Sequence, residues 1–242
     1  MAATAATLDC APESTRPDMA SEDRLCLLLA RREIPPDLRK LILQLLSAPL
    51  RWPVVLERLS NHQIQPLAYR NLLDLGFPGV PDAVQGELKR DFLANWRRNE
   101  QLARELGLLL HLLDTAGIPV IPLKGVTLAQ SLYGDVSLRV CADIDILVPA
   151  DQVAHALELI LARGYRSDFR DPFFAKLVLE HGRHYYLVSA DDEAPIPLEL
   201  HWKLIQYSSR NDDAVQDLWA EAQRRNFLGA RSYSLSPEWE FL

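Results

Sequence analysis

Long hydrophobic runs are absent from this sequence, which argues against a membrane-spanning helix. The longest apolar candidate, residues 106–120, is interrupted by His111 and Asp114, whereas a spanning helix needs about 20 consecutive apolar residues. The first twenty residues contain neither a basic start nor an apolar segment of signal-peptide length. Their loose Ala/Thr-rich composition predicts a disordered tail over residues 1–20.

Cysteine is also scarce. Cys10, Cys26 and Cys141 are odd in number, far apart and not arranged as Cys-x-x-Cys. A disulfide framework or a cysteine-based zinc site is therefore not expected. This usage fits a reducing compartment, and the cytoplasm is the predicted location.

An excess of basic residues is missing as well. The net charge is −7. Residues 1–117 carry 14 basic and 15 acidic side chains, and residues 118–242 carry 12 and 18. Proteins that bind nucleic acid duplexes usually carry a basic surface that neutralises phosphates. Non-specific DNA or RNA binding is therefore disfavoured, and an anionic ligand needs a local pocket or bridging metal ions.

Apolar residues at helical spacing fill the first half of the chain. A helix capped by Ser21 is predicted through Leu29, followed by helices over residues 37–46, 53–61 and 66–75. Pro81 opens the longest helical pattern, which ends near Gly117. Its charge-rich stretch, residues 91–105, is interpreted as a solvated face.

After Gly117, predicted strands alternate with predicted helices, which favours an α+β domain. The strands fall over residues 118–123, 143–148, 185–189 and 196–202, and the helices over 126–132, 150–163 and 213–225. The predicted organisation is a tail, a helical region over 21–117 and an α+β core over 118–242.

Two aspartates occupy one face of the strand predicted over 143–148. Side chains alternate along a strand, so Asp143 and Asp145 share a face while Ile144 and Ile146 lie on the other. Their Cα atoms would lie about 6.8 Å apart. Carboxylates placed in this way can bridge two divalent ions, and oxygen ligands favour Mg²⁺ or Mn²⁺ over zinc. Because Asp-x-Asp is a common pattern, a solvated strand end is the alternative.

A third carboxylate lies on a later strand. Glu199 and His201 share one face of the strand over 196–202. If the two strands are neighbours, three carboxylates converge, and their burial without a cation would be costly. Upstream, Lys124 and Gly125 stand where a strand turns into a helix, and there a helix N-terminus can approach a phosphate.

The order of these motifs resembles the uncharacterised nucleotidyltransferase family of the DNA polymerase β-like superfamily, over roughly residues 36–242. The motifs are Pro122-Leu-Lys-Gly125, Leu132-Tyr133, Arg139, Asp143-Ile-Asp-Ile-Leu-Val148 and Leu198-Glu-Leu-His-Trp202. The resemblance implies a small mixed sheet with helices on one side. It also implies a nucleoside triphosphate, with ATP the expected donor, held by two Mg²⁺ (or Mn²⁺) ions.

The resemblance also implies roles for single residues. Asp143 and Asp145 match the paired metal-binding aspartates, and Glu199 matches the third carboxylate. The predicted triphosphate contacts are Lys124, Gly125 and Arg139, for which the alternatives are a solvated lysine, a tight turn and an ion pair with a carboxylate of the sheet. The superfamily has Gly-Ser where this chain has Lys-Gly, so the usual serine contact to the triphosphate is not available.

Three histidines near the predicted site are interpreted as structural residues. His181 and His184 form a His-x-x-His pair without a third ligand nearby in the sequence, so a metal site is not expected there. His201, beside Trp202, is interpreted as a packing residue, with a role supporting the metal ligands or the acceptor as the alternative.

The sequence therefore predicts a Mg²⁺-dependent nucleotidyltransferase that moves a nucleoside monophosphate from a nucleoside triphosphate to a hydroxyl-bearing acceptor. The acceptor and the oligomeric state stay open. The alternatives are a metal-dependent glycosyltransferase and a non-catalytic regulatory or antitoxin-like module that keeps the fold. The sequence ends in what resembles the start of a helix, and the family usually continues with more helices, so a truncated chain is one interpretation.

Overall fold

The computed structural model describes residues 19–167, 171–191, 194–203, 218–227 and 229–235. Most of the predicted tail (residues 1–18) lies outside them, as do residues 213–217 of one predicted helix and the end of the chain, 236–242. None of the helices in the described residues combines the length and apolar character that a membrane crossing requires.

Five helices form the first half, as the hydrophobic spacing predicts. They are α1 (Ser21–Leu29), α2 (Pro36–Leu46), α3 (Trp52–Asn61), α4 (Gln65–Leu75) and α5 (Asp82–Thr115). A proline stands in the first turn of α2, α3 and α4, where its missing N–H costs no helical hydrogen bond. The prediction that Ser21 caps α1 is wrong. Ala20 holds the cap position, since its carbonyl already accepts from the Arg24 N–H at 3.0 Å.

The described residues of the second half form short helices and seven strands. In chain order these are β1 (Ile121–Leu123), α6 (Gly125–Tyr133), β2 (Ile144–Leu147), α7 (Val153–Ala162), β3 (Tyr165–Ser167), α8 (Pro172–His181), β4 (His184–Ser189), β5 (Pro197–His201), β6 (Gln223–Phe227) and β7 (Ala230–Ser234). Single 3₁₀ turns cover Val136–Leu138 and Ala150–Gln152, so the helix predicted from residue 150 starts with a 3₁₀ turn.

Four elements differ from the sequence-based prediction. The helix predicted over 213–225 is wrong at its end, because residues 223–225 belong to β6, which pairs with β7 in an antiparallel hairpin. Strand β3, which has only three residues, strand β7 and helix α8 were also not predicted. The start of α8 carries a signal that the analysis passed over: Asp171 accepts a hydrogen bond from the Phe173 N–H at 2.8 Å, and a proline follows the aspartate directly.

The larger sheet is mixed, in the order β1-β2-β5-β4-β3. Strands β2 and β5 are parallel, and every other neighbouring pair is antiparallel. One face is apolar and packs against the second half of α5 and against α7 and α8. The fully buried residues of this core include Ile146, Leu198, Leu200, Leu109, Leu113 and Ile160. The predicted α+β class with a small mixed sheet is confirmed.

A separate apolar core holds the helical half together. Helices α1 to α4 enclose it with the first part of α5, and its buried members include Leu25, Leu29, Ile42, Leu59, Leu72 and Leu88. The 34-residue helix α5 therefore contributes to both cores. This continuity ties the helical half to the sheet.

The middle of α5 also holds the segment that leads into β2. Asn99, which is fully buried, donates its amide to the carbonyl of Arg139 at 2.7 Å. Asn95 donates to the Ser137 carbonyl at 2.8 Å. Arg98 donates to the Ala142 carbonyl at 3.0 Å and to the Pro195 carbonyl at 3.2 Å, and so joins the segments before β2 and β5. These carbonyls lie mostly outside regular structure and need side-chain donors.

The interpretation of residues 91–105 as a solvated face is therefore wrong for three of its polar residues. Their partners lie more than 35 residues away along the chain. A helical charge pattern carries no information on such partners, so the sequence could not identify them.

Replacement of Asn99 by leucine tests this role. The carbonyls that Asn99 satisfies would lose their donor, and we expect the free energy of unfolding to fall by about 1–3 kcal/mol. Urea denaturation followed by circular dichroism measures the change. The control is Glu100→Gln at the next, exposed position of the same helix, with an expected effect within about 0.5 kcal/mol. Equal losses in the two variants would contradict the assignment.

Candidate active site

Three adjacent strands place polar side chains on the face of the sheet opposite the apolar core. Asp145 of β2 lies opposite Glu199 of β5, which in turn lies opposite Tyr186 of β4. Two residues after Glu199 along β5, His201 lies opposite His184 of β4. Since side chains alternate along a strand, these residues share one face. The two strands that carry the carboxylates are neighbours in the sheet, as the convergence predicted from the sequence requires.

His201 lies between the two carboxylates. Its Nε2 atom is 3.0 Å from Asp145 Oδ1 and 3.1 Å from Glu199 Oε2. The His184 Nε2 atom is 4.0 Å from the same Glu199 oxygen, and the centroids of the two imidazole rings are 5.1 Å apart. Burial lowers the pKa of His184, and the nearby Glu199 charge partly offsets that effect. The packing interpretation of His201 is therefore incomplete, because its ring also contacts both carboxylates.

Asp143 lies immediately before β2 and is half-buried. Burial raises its pKa, and the charges of Asp145 and Glu199 raise it further. The three predicted carboxylates are therefore close enough to affect one another electrostatically. Their like charges therefore repel one another.

Lys124 and Gly125 form the junction between β1 and α6 and have unusual backbone conformations. Lys124 has φ +48° and ψ −139°, and Gly125 has φ +48°. A non-glycine residue in such a conformation costs about 1–3 kcal/mol and persists only where its surroundings enforce it. A Cβ atom on residue 125 would lie 3.6 Å from the Asp143 carbonyl oxygen. The junction therefore lies directly beside the segment that carries the first aspartate.

Arg139 is half-buried, and its guanidinium contacts the Cys141 sulfur at 3.7 Å. Its charge lowers the pKa of Asp143, although less than the other influences raise it. Burial raises the pKa of the Cys141 thiol, in agreement with a small buried side chain. Neither Arg139 nor Asp143 is among the described residues that line the cavity beside this site.

A cavity of about 480 Å³ opens on the carboxylate face. Its walls come from the β1–α6 junction, from β5 and from the β6–β7 hairpin. The ionisable side chains that line it are Lys124, Asp145, Arg183, Glu199, His201 and Arg225. Cationic groups thus surround the carboxylates in one compartment.

The β6–β7 hairpin forms the outer wall and is anchored beside β1. The Tyr233 N–H donates to the Val120 carbonyl at 2.8 Å, and the ring centroids of Trp219 and Tyr233 are 6.2 Å apart. Arg225 is held by Ser234 Oγ at 3.2 Å and by Gln223 Oε1 at 3.0 Å. Arg225 was not predicted as a site residue because this stretch was assigned to a helix. Arg183 was not predicted because no local motif surrounds it.

Comparisons with known proteins give a family match and a similar solved structure. The family model described as "Uncharacterised nucleotidyltransferase" matches residues 48–242. A comparison with curated protein sequences gives no significant match. A similar solved structure is that of an antigenic nucleotidyltransferase-like protein from Paracoccidioides brasiliensis, with 19% sequence identity and a TM-score of 0.38. The match covers 58% of this chain and 62% of that chain. On the extent of the family match, the chain belongs to the uncharacterised nucleotidyltransferase family.

Proposed function

We propose that this protein transfers a nucleoside monophosphate from a nucleoside triphosphate to a hydroxyl-bearing acceptor, and that the reaction depends on Mg²⁺ or Mn²⁺. The observation that carries the proposal is the register of β2 and β5. It pairs Asp145 with Glu199 on the open face of the sheet, directly after Asp143. Family membership supports the general reaction class.

The proposed metal ligands are Asp143, Asp145 and Glu199. Carboxylate oxygens are the ligands that Mg²⁺ and Mn²⁺ prefer. The raised pKa of Asp143, due to burial and then to the charges of Asp145 and Glu199, shows a concentration of negative charge that a divalent cation would offset. When bound, such ions supply neutralisation of the triphosphate charge and activation of the acceptor hydroxyl.

Cationic groups of the cavity are the proposed contacts to the triphosphate. Lys124 lines the cavity at the point where α6 begins, and the free N–H groups of a helix N-terminus favour phosphate charge. Arg183 and Arg225 line the same cavity and can donate hydrogen bonds to phosphate oxygens. Arg139 is assigned to this role from the family resemblance only.

In the proposed reaction the acceptor oxygen forms a bond to the α-phosphorus. The bond between that phosphorus and the β-phosphate oxygen breaks, and pyrophosphate leaves. A carboxylate of the site receives the hydroxyl proton. Residues that fix the triphosphate raise the rate by holding the reacting atoms in line. ATP is the donor that we propose to test first.

The cytoplasm is proposed as the location. Cys26 and Cys141 are buried free thiols, as expected in a reducing compartment.

Nucleotide binding tests the metal ligands. We expect a nucleoside triphosphate with Mg²⁺ to raise the thermal midpoint of the wild-type protein, because ligand binding stabilises the native state. The shift should disappear without Mg²⁺ and in Asp143→Asn and Asp145→Asn. Thermal denaturation with each of the four ribonucleoside triphosphates measures it. A shift that persists in both variants would contradict the ligand assignment.

The same variants provide a control for folding. The pKa of Asp143 is raised in the folded state, so the stability linked to this group is greatest below its unfolded pKa and is lost as the pH rises through the folded pKa. Above its folded pKa the ionised Asp143 carboxylate therefore destabilises the metal-free protein. We expect Asp143→Asn to raise the thermal midpoint in the presence of a chelator, although it abolishes the nucleotide-induced shift.

A further prediction concerns the β6–β7 hairpin. Arg225 and its neighbour Arg224 are both exposed, but only Arg225 lines the cavity. We expect Arg225→Ala to weaken binding of the Mg²⁺–nucleotide complex about tenfold, as the loss of one charge-assisted hydrogen bond predicts. Arg224→Ala should leave the affinity unchanged. Isothermal titration calorimetry with a non-hydrolysable analogue gives both values, and equal effects would exclude a specific role for Arg225.

The products separate the proposed reaction from its alternatives. A nucleotidyltransferase releases pyrophosphate, whereas a glycosyltransferase releases a nucleoside diphosphate from a nucleotide sugar. A folded protein that binds no nucleotide under any of these conditions would favour the non-catalytic module.

A further inference from the structure

Two imidazole rings, those of His184 and His201, lie beside the carboxylates of the candidate site. The ligand atoms of His184, Glu199 and His201 all lie within 4.8 Å of one another. Asp145 Oδ1 adds a fourth donor, 3.0 Å from His201 Nε2. The four residues come from three adjacent strands, so the backbone hydrogen bonds of the sheet hold their positions. We call them the mixed cluster.

The distances from His201 Nε2 to the two carboxylates are close to those between ligands of one metal ion. Ligand atoms about 2.1 Å from a tetrahedral ion lie about 3.4 Å apart. In the mixed cluster, His201 Nε2 and Glu199 Oε2 are 3.1 Å apart, and His184 Nε2 and Glu199 Oε2 are 4.0 Å apart.

The environment of His184 supports the same conclusion. Its Nδ1 atom is buried and has no hydrogen-bond partner among the described residues. Its Nε2 atom faces Glu199 at 4.0 Å, beyond hydrogen-bond range. A half-buried imidazole with neither nitrogen well satisfied lacks the hydrogen bonds that usually retain a polar side chain inside a protein. Coordination of an ion through Nε2 would give that nitrogen a partner, although it would not supply one for Nδ1.

The chemistry of the donors selects the ion. Mg²⁺ and Mn²⁺ favour oxygen ligands, whereas Co²⁺ and Zn²⁺ readily accept imidazole nitrogen as well. We propose that the mixed cluster of Asp145, His184, Glu199 and His201 binds one transition-metal ion of this borderline class. This inference deepens the proposed function, on which it rests for the use of Asp145 and Glu199 as ligands. It assigns one metal position to an ion other than Mg²⁺.

The sequence pattern around residue 184 concealed this site. The His-x-x-His pair is not used as a unit: His181 is exposed at the end of α8, where its nearest carboxylate is Glu180 at 4.0 Å. The partners of His184 come instead from β5, through antiparallel pairing that places it opposite His201. The missing third ligand is therefore supplied by strand register.

Co²⁺ is the probe, because its visible absorption reports both binding and ligand type. The chelator-treated full chain should bind one Co²⁺ ion. His184→Gln and His201→Gln should each weaken its affinity at least about tenfold, as loss of an imidazole ligand predicts. His181→Gln is the matched control and should match wild type. Circular dichroism establishes that each variant is folded.

A second measurement needs no variant. In the proton NMR spectrum of the Co²⁺-loaded wild-type protein, two exchangeable, strongly shifted imidazole N–H signals are expected, one from each histidine. Absence of both signals, or Co²⁺ affinity that is equal in wild type and both glutamine variants, would overturn the site.

These outcomes are distinguishable from failure of the proposed function. Mg²⁺-dependent nucleotide binding in a protein whose Co²⁺ affinity ignores His184 and His201 would leave the proposed function standing and refute the mixed cluster. Histidine-dependent Co²⁺ binding without any nucleotide binding would support the mixed cluster and refute nucleotidyl transfer.

Discussion

The parallel pairing of β2 with β5 brings Asp145 and Glu199 side by side, and the apolar face of the same strands fixes that arrangement. Ile146 and Leu200, from the same two strands, are fully buried on the opposite face. A register slip of one residue would move a carboxylate into this core and an apolar side chain into the cavity. The hydrophobic energy of the sheet thus holds like charges together, although their repulsion opposes it. The candidate site therefore depends on a core that it does not itself stabilise.

Other elements of the molecule serve this same arrangement. Helix α5 contributes to both apolar cores, and its buried Asn99 holds the backbone that precedes Asp143. The β6–β7 hairpin, anchored to Val120 through Tyr233, encloses the carboxylate face without filling it. The apolar core packs on one face of the sheet, and the polar residues of the hairpin lie over the other face. The cavity between the hairpin and the sheet is suited to a charged ligand. The arrangement explains why basic side chains occur locally in a chain whose net charge is −7.

Local patterns in the sequence predicted the helices and the strands that bear the carboxylates, because hydrophobic periodicity reports burial directly. Alternation alone predicted that Asp143 and Asp145 share a face of one strand and that Glu199 and His201 share a face of another, but it did not show that the two strands are neighbours. The contacts of Asn99 and His184 could not be predicted, since both depend on partners distant along the chain. The β6–β7 hairpin was not predicted for a different reason. In β6, residues 223–226 are all exposed, so the strand has no alternation of apolar and polar positions to reveal it.

The most direct test of the central claim is anomalous diffraction from crystals grown with Mn²⁺ and a non-hydrolysable ATP analogue. We expect a manganese peak within coordination distance of Asp145 and Glu199, with the phosphates of the analogue in the adjoining cavity. A fully bound analogue without metal at these two carboxylates, or with its phosphates outside the cavity, would contradict the account.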